Sequence, residues 1–182
     1  MRRRPELLRA EIVAETRIFR IEARRLRFAN GTVVDYERLR ARGHGAVLVV
    51  PLLDDGTVLL VREYAGGVDD YELALPKGRI DAGEDALAAA NRELMEEVGY
   101  AARELREIAT FSIAPGYLDH RTRIVLARDL YPRRLPGDEP EEIEVVAWPL
   151  ARLGELVARD DFTEARSIAA LYLVRDLLRE EG

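Results

Sequence analysis

Gly78-Arg79-Ile80-Asp81-Ala82-Gly83-Glu84-Asp85-Ala86-Leu87-Ala88-Ala89-Ala90-Asn91-Arg92-Glu93-Leu94-Met95-Glu96-Glu97-Val98-Gly99-Tyr100 is the stretch on which the reading of this chain turns. It reads as a loop running into a helix between Asp81 and Gly99. Glu84 and Asp85 are expected in the first turn, where the helix dipole favours negative charge, and Gly99 at the C′ position. Leu87, Ala90, Leu94 and Val98 form the expected apolar stripe. At 100° per residue, Glu93, Glu96 and Glu97 fall within an arc of about 100° that flanks this stripe. The three carboxylates should therefore lie at the rim of a cleft. Like charges so placed repel by roughly 0.2–0.5 kcal/mol per helical pair, and a hard divalent cation would relieve that repulsion. With no cysteine and two histidines in the chain, oxygen-ligated magnesium suits the site better than zinc.

Upstream, Ile12 to Phe19 and Arg20 to Ala29 read as strands. Asn30-Gly31 supplies the positive-φ pair of a two-residue hairpin into Thr32 to Leu39. Ala46 to Leu53 is a continuous apolar strand of the kind buried on both faces, and Asp55-Gly56 turns it back into Thr57 to Val61 as a second hairpin. Downstream, strands are expected at Glu107 to Ile113, Thr122 to Ala127 and Ile143 to Trp148, with a proline- and acid-rich loop from Tyr131 to Glu142. One helix follows Pro149, and a last one starts near Thr163 with Ile168, Leu171 and Leu178 on its core face. Strands and helices are mixed without regular βαβ alternation, which predicts an α+β layered domain.

Composition narrows the function. The 182 residues carry a net charge of -6 with no basic face, which disfavours nucleic-acid binding. The longest uncharged run, Gly43 to Leu53, is far short of the roughly 20 residues of a membrane span, and no signal-peptide core follows the N-terminal arginines. Absence of cysteine fits a reducing cytoplasm, the expected location. Of the 28 basic residues, Lys77 is the single lysine. Codon bias in the genome is the first explanation of such an arginine excess, and a place where a compact ammonium is needed is the second.

A Glu-Glu pair alone would be read as a solvated helix face. The full pattern fixes seven residue types and two apolar positions, and a chance match in a chain of this composition is on the order of one in 10⁵. It matches the Nudix box, G-x5-E-x7-R-E-U-x-E-E-x-G-U with U apolar or aromatic, at every position. Arg62-Glu63-Tyr64, Tyr71-Glu72-Leu73, Ala114-Pro115-Gly116-Tyr117, Asp129-Leu130-Tyr131-Pro132, Gly137-Asp138-Glu139-Pro140-Glu141 and Phe162-Thr163-Glu164-Ala165-Arg166 resemble the bacterial ADP-compounds hydrolases of that superfamily, so the resemblance runs from about Ile12 to Leu178.

The resemblance implies a Nudix α/β/α sandwich over 43–182, preceded at 1–42 by an N-terminal antiparallel strand unit used for dimerisation and substrate contacts. It implies a homodimer that hydrolyses the pyrophosphate of ADP-ribose, NADH or diadenosine polyphosphates to AMP, using Mg2+ with Mn2+ as a possible substitute. Glu93, Glu97, Glu96 and the backbone carbonyl of Lys77 would hold the metal, and Arg92 would hold the carboxylates. A glutamate of the acidic loop would be the last ligand or the base for the attacking water. Glu141 and Glu139 match that loop best, and Glu141, nearer the Ile143 strand, is the expected base, with Glu96 the next candidate after these two. Arg62, Arg38, Arg40, Tyr64 and Tyr117 are candidate substrate contacts. Ala74, where many ADP-ribose pyrophosphatases carry glutamate, and Ala65-Gly66-Gly67 in place of a second arginine argue against strict ADP-ribose specificity. Hydrolysis of another nucleotide diphosphate, such as a nucleotide sugar, is the alternative activity. A non-catalytic nucleotide-sensing module is disfavoured by the intact glutamates.

Overall fold

A computed structural model describes residues 3–137 and 139–181. Asp138, within the acidic-loop motif, lies outside the described residues. The elements run β1 (Glu6–Glu15), β2 (Arg20–Arg27), β3 (Val33–Arg40), β4 (Ala46–Pro51), β5 (Thr57–Ala65), β6 (Asp70–Ala74) and β7 (Lys77–Arg79). Then come α1 (Ala86–Glu93), β8 (Tyr100–Phe111), β9 (Leu118–Asp119), β10 (Thr122–Pro132), β11 (Glu144–Pro149), α2 (Leu153–Val157) and α3 (Ala165–Glu181).

Three sheets form, ordered β1-β2-β3-β9, β7-β4-β10-β8 and β11-β5-β6. The α+β reading holds, and period-2 alternation makes the sandwich. Leu48 and Val50 of β4, Val58 and Leu60 of β5, and Ile124 and Leu126 of β10 pack with Leu153, Leu156, Leu171 and Val174 of α2 and α3. The intervening Val47, Val49, Leu59, Val61, Val125 and Ala127 pack against Ala86, Ala89, Ala90 and Leu94 of the box helix. β4 is buried along its whole length because both of its faces carry helix.

Several local expectations are corrected. β4 and β5 meet only at a Leu52–Val58 bridge and then part into different sheets. Each has both edges taken, β4 by β7 and β10, and β5 by β6 and β11. The Asn30-Gly31 turn has three residues, not two. Phe28 N–H bonds to Thr32 O (2.9 Å), Gly31 alone has positive φ (85°), and Asn30 Oδ1 accepts from Thr32 N–H (3.1 Å). A side chain that satisfies the loop amide lets Asn30 keep negative φ. β1 starts at Glu6 and ends before a Thr16–Phe19 turn, so the first strand lies further upstream than expected.

In the box, Asp85 is the N-cap, accepting from Leu87 N–H (2.8 Å) and Ala88 N–H (3.0 Å), and Glu84 lies outside the helix. Of the expected stripe, Ala90, Leu94 and Val98 are buried, whereas Leu87 points outward, 37% exposed, and Ala86 and Ala89 lie inward in its place. After Glu93 the helix widens into a π turn over Leu94–Val98, closed by Gly99 N–H to Leu94 O (3.2 Å), with Gly99 at φ 80°.

Candidate active site

The chemistry-bearing side chains gather where α1, its π turn, β5, β7 and the acidic loop converge. β7 is placed from both sides. Lys77 pairs with Leu48 of β4, and nearby Leu75 N–H donates to Ser167 Oγ of α3 (2.9 Å). Glu93 and Glu97 are buried, at 8% and 4% exposure, in a position that would be unfavourable for unpaired carboxylates.

Two cations answer them. Arg92 Nη1 donates to Glu93 Oε1 (2.8 Å) and Glu96 Oε2 (3.0 Å). Its Nε and Nη2 bond Glu84 (3.1 Å each), and Nη2 also reaches the Arg79 carbonyl (2.9 Å). Hydrogen bonding to Glu84, then to Glu93, outweighs burial and holds the guanidinium above its ordinary pKa. Glu97 faces the second cation. Its Oε2 accepts the Lys77 backbone N–H (3.1 Å), while the Lys77 ammonium pairs with Glu63 of β5. One oxygen each from Glu63, Glu97 and Glu139 lies within 4.8 Å of the others. Burial pushes Glu97 up to about 8, with Lys77 opposing and Glu93 and Glu139 adding to the shift. Burial lowers Lys77, with Glu97 opposing.

Glu93, Glu96, Glu97, Glu139, Glu141 and Glu142 line one cleft. The loop segment Glu139 to Ile143 also walls an adjoining recess with Arg62, Glu63, Tyr64 and Tyr71. Of the two loop glutamates, Glu139 joins Glu97 and Glu63, whereas Glu141 Oε1 accepts from Tyr71 O–H (2.7 Å). All these donors are carboxylate oxygens, and this set fits a hard divalent cation.

Other expected substrate contacts are placed differently. Arg62 is held between Asp161 (2.7 Å) and Glu144 (2.9 Å), so it enters the recess as a paired cation. Tyr64 is half exposed, bonded to Asp69 and edge-on to Tyr71 at 5.8 Å. Arg38 and Arg40 both bind the buried Glu22, at 2.7 and 2.9 Å. Arg38 and Tyr117 line a separate pocket with Tyr36, Asp119 and His120. Within one chain these three residues are not brought to the carboxylate cleft.

Sequence reasoning passed over Glu63 and Tyr71. Glu63 was legible, since it continues the Leu59, Val61 alternation and so faces the box helix. Tyr71 gave no such signal, because its partner is 70 residues away in a loop.

A sheet sandwich whose box helix aims buried glutamates at a loop of further glutamates defines a class, and the chain belongs to the Nudix hydrolases. The NUDIX domain family matches residues 42–171, and the NudE-type Nudix hydrolase N-terminal domain matches residues 5–38. The ADP compounds hydrolase NudE of Escherichia coli (strain K12) is 47% identical over 179 residues, 98% of this chain and 96% of that protein. A crystal structure of an ADP compounds hydrolase superposes with TM-score 0.92 at 46% identity, covering 100% of this chain and 98% of that one. An ADP-ribose pyrophosphatase of Bacillus subtilis is 30% identical over 72% of each chain. Among the described residues, no helix is long and apolar enough to cross a membrane.

Proposed function

We propose that this chain hydrolyses the pyrophosphate linkage of ADP-containing compounds such as ADP-ribose, NADH and diadenosine polyphosphates, releasing AMP, as a Mg2+-dependent enzyme that also accepts Mn2+. The observation that carries the reading is the burial of Glu93 and Glu97 in one cleft with Glu139 and Glu141, in a chain 47% identical to an ADP compounds hydrolase. Glu93, Glu97, Glu96 and the Lys77 carbonyl would hold the metal, with Glu139 as the loop ligand by its position beside Glu97. A bound divalent ion neutralises phosphate oxygens and acidifies a water. Glu141, oriented by Tyr71, accepts the proton of the attacking water. Arg92 keeps Glu93 and Glu96 in place, so their arrangement does not have to form during turnover.

Tyr64, half exposed beside Tyr71, offers a face for adenine, and Arg62 offers a phosphate contact once one of its carboxylates is displaced. Residues 1–42 form a dimerisation unit in this reading. Leu7, Ile12, Val13, Ile18, Phe19 and Val34 stay 38–63% exposed there, more apolar surface than a single chain covers. A homodimer would cover it and bring Arg38, Arg40 and Tyr117 toward the partner's cleft. We place the protein in the cytoplasm, with no nucleic-acid or membrane partner.

A second reading is favoured by one observation. A GDP-mannose pyrophosphatase of Salmonella typhimurium is 28% identical over 78% of this chain. Turnover of ADP-ribose, NADH, a diadenosine polyphosphate and GDP-mannose, each with Mg2+ and product identification, tests both. AMP release from the adenine compounds is expected, and a clear preference for GDP-mannose would overturn the ADP assignment.

A further inference from the structure

Lys77 is the chain's single lysine among 28 basic residues, and it borders the carboxylate cluster of Glu63 and Glu97. Its backbone N–H is bonded to Glu97, and its ammonium crosses to Glu63. Carboxylate oxygens of Glu63, Glu97 and Glu139 lie within 4.8 Å of one another, a density of like charge that a nearby cation relieves. Arg92 is committed to Glu84, Glu93, Glu96 and the Arg79 carbonyl, and Arg134, which also lines the cleft, has its guanidinium against Gly99.

We propose that the Lys77 ammonium is the resident counter-cation of the Glu63, Glu97 and Glu139 carboxylates, and that a divalent cation entering the cleft must displace it. The inference rests on reading the cleft as a divalent-cation site. The ammonium is bonded to Glu63 and attracted electrostatically by Glu97 and Glu139, and magnesium, which binds oxygens at about 2.0–2.1 Å, would compete with it for that cluster. Two cations cannot share those oxygens without strong repulsion.

The choice of lysine follows from this exchange. A guanidinium is a rigid fork of five donors that grips carboxylates in two-pronged fashion, as Arg92 does. An ammonium is a compact, strongly hydrated charge on a flexible stem, and can withdraw toward water when a better cation arrives. Arg92 therefore suits the permanent scaffold and Lys77 the replaceable charge. Lys77 is a positioning residue for the empty state, holding Glu97 and Glu63 in place between metal-binding events.

The test is Mn2+ binding to the full-length protein without substrate, by titration calorimetry. Lys77→Met should bind about ten-fold more tightly, equivalent to about 1.4 kcal/mol. Lys77→Arg, retaining a charge that leaves less readily, should bind more weakly than wild type. A single lysine also allows a readout on the wild type. In protein labelled with 13C and 15N at lysine, the one side-chain signal should move to the position of a solvated ammonium as Mg2+ is added. Unchanged or weaker Mn2+ binding by Lys77→Met, or a lysine signal that ignores Mg2+, overturns the proposal while leaving the metal site standing. Wild-type Mn2+ binding that is absent, or insensitive to Glu97→Gln, overturns the metal site and this proposal together.

Discussion

Gly78→Ala is expected to dismantle the site while sparing the fold. A Cβ on Gly78 would stand 1.9 Å from Glu93 Oε1, 2.0 Å from its Cδ and 2.3 Å from Oε2, where ordinary contact begins at 3.4 Å. The backbone at Gly78 is not in the left-handed region, so β7 accepts alanine and the carboxylate has to give way by about 1.5 Å. Metal ligation tolerates deviations of about 0.2 Å, so that displacement removes Glu93 as a ligand. Moving the carboxylate also breaks the 2.8 Å bond from Arg92, a charged contact whose loss costs about 1–3 kcal/mol. For a chain of this length the melting temperature should fall by roughly 2–12 °C, leaving the protein folded at room temperature. Mn2+ affinity and kcat/KM should each drop at least about a hundredfold, beyond the roughly 10–100-fold typical of disturbing a ligand's support. In a Glu93→Ala background the same change should cost almost nothing further, because the group it pushes is gone. Calorimetric Mn2+ titration, steady-state kinetics and thermal unfolding in EDTA on the four proteins complete the cycle. Gly78→Ala with wild-type Mn2+ affinity, or with fully additive losses, would refute the assignment of Glu93.

Further outcomes concern the other carboxylates and the dimer. Glu97→Gln should lose nearly all turnover yet gain metal-free stability, because burial holds the Glu97 pKa at about 8 against 4.5 for the unfolded group. Its folded pKa is raised, so stability is fully present below 4.5 and is lost as pH rises through 8. By pH 7 the cost is up to about 3 kcal/mol. Melting curves in EDTA from pH 4 to 9 should show the wild type falling relative to Glu97→Gln, and parallel curves would contradict the assigned environment. Glu141→Gln should lower kcat about a thousandfold with Mn2+ affinity unchanged, whereas Glu139→Gln should weaken Mn2+ binding; the reverse pattern in kinetics and calorimetry would exchange their roles. Tyr71→Phe should lower kcat about tenfold and leave KM alone, and an unaltered kcat would remove Tyr71 as the support of Glu141. Light scattering should return a dimer mass that Val13→Asp reduces to a monomer, and a wild-type monomer at micromolar concentration would defeat the dimer reading.

What could be read in advance was whatever short-range periodicity encodes. The box spacing places Glu93 and Glu97 on one helix face, and the all-apolar run from Ala46 signals a strand with both faces covered. The helix start is ambiguous in the sequence because Glu84 and Asp85 both suit an N-terminus, and only hydrogen bonding shows that Asp85 caps while Glu84 turns to Arg92. The β4–β5 hairpin failed for a tertiary reason, since each strand had better partners elsewhere in the chain. Arg62 was legible as a cation near the site, but its neutralisation by Asp161, 99 residues on, was not. The division of the glutamates between Arg92 and Lys77 also depends on sheet order, since Glu63 and Lys77 belong to different sheets.

The π turn at Leu94–Val98 bears on how this site can be lost. Such a turn holds one residue more than a regular helical turn would, so a single-residue deletion, not a substitution, is the change that would undo it. Removing one residue between Leu94 and Glu96 would restore regular backbone bonding and improve the helix as a helix. It would also rotate Glu97 and the Gly99 stop by about 100° about the axis. The buried carboxylate would then leave Lys77 and Glu63, and the chain reversal into β8 would point elsewhere. Single-residue deletions here should separate good folding from good chemistry more sharply than point changes can.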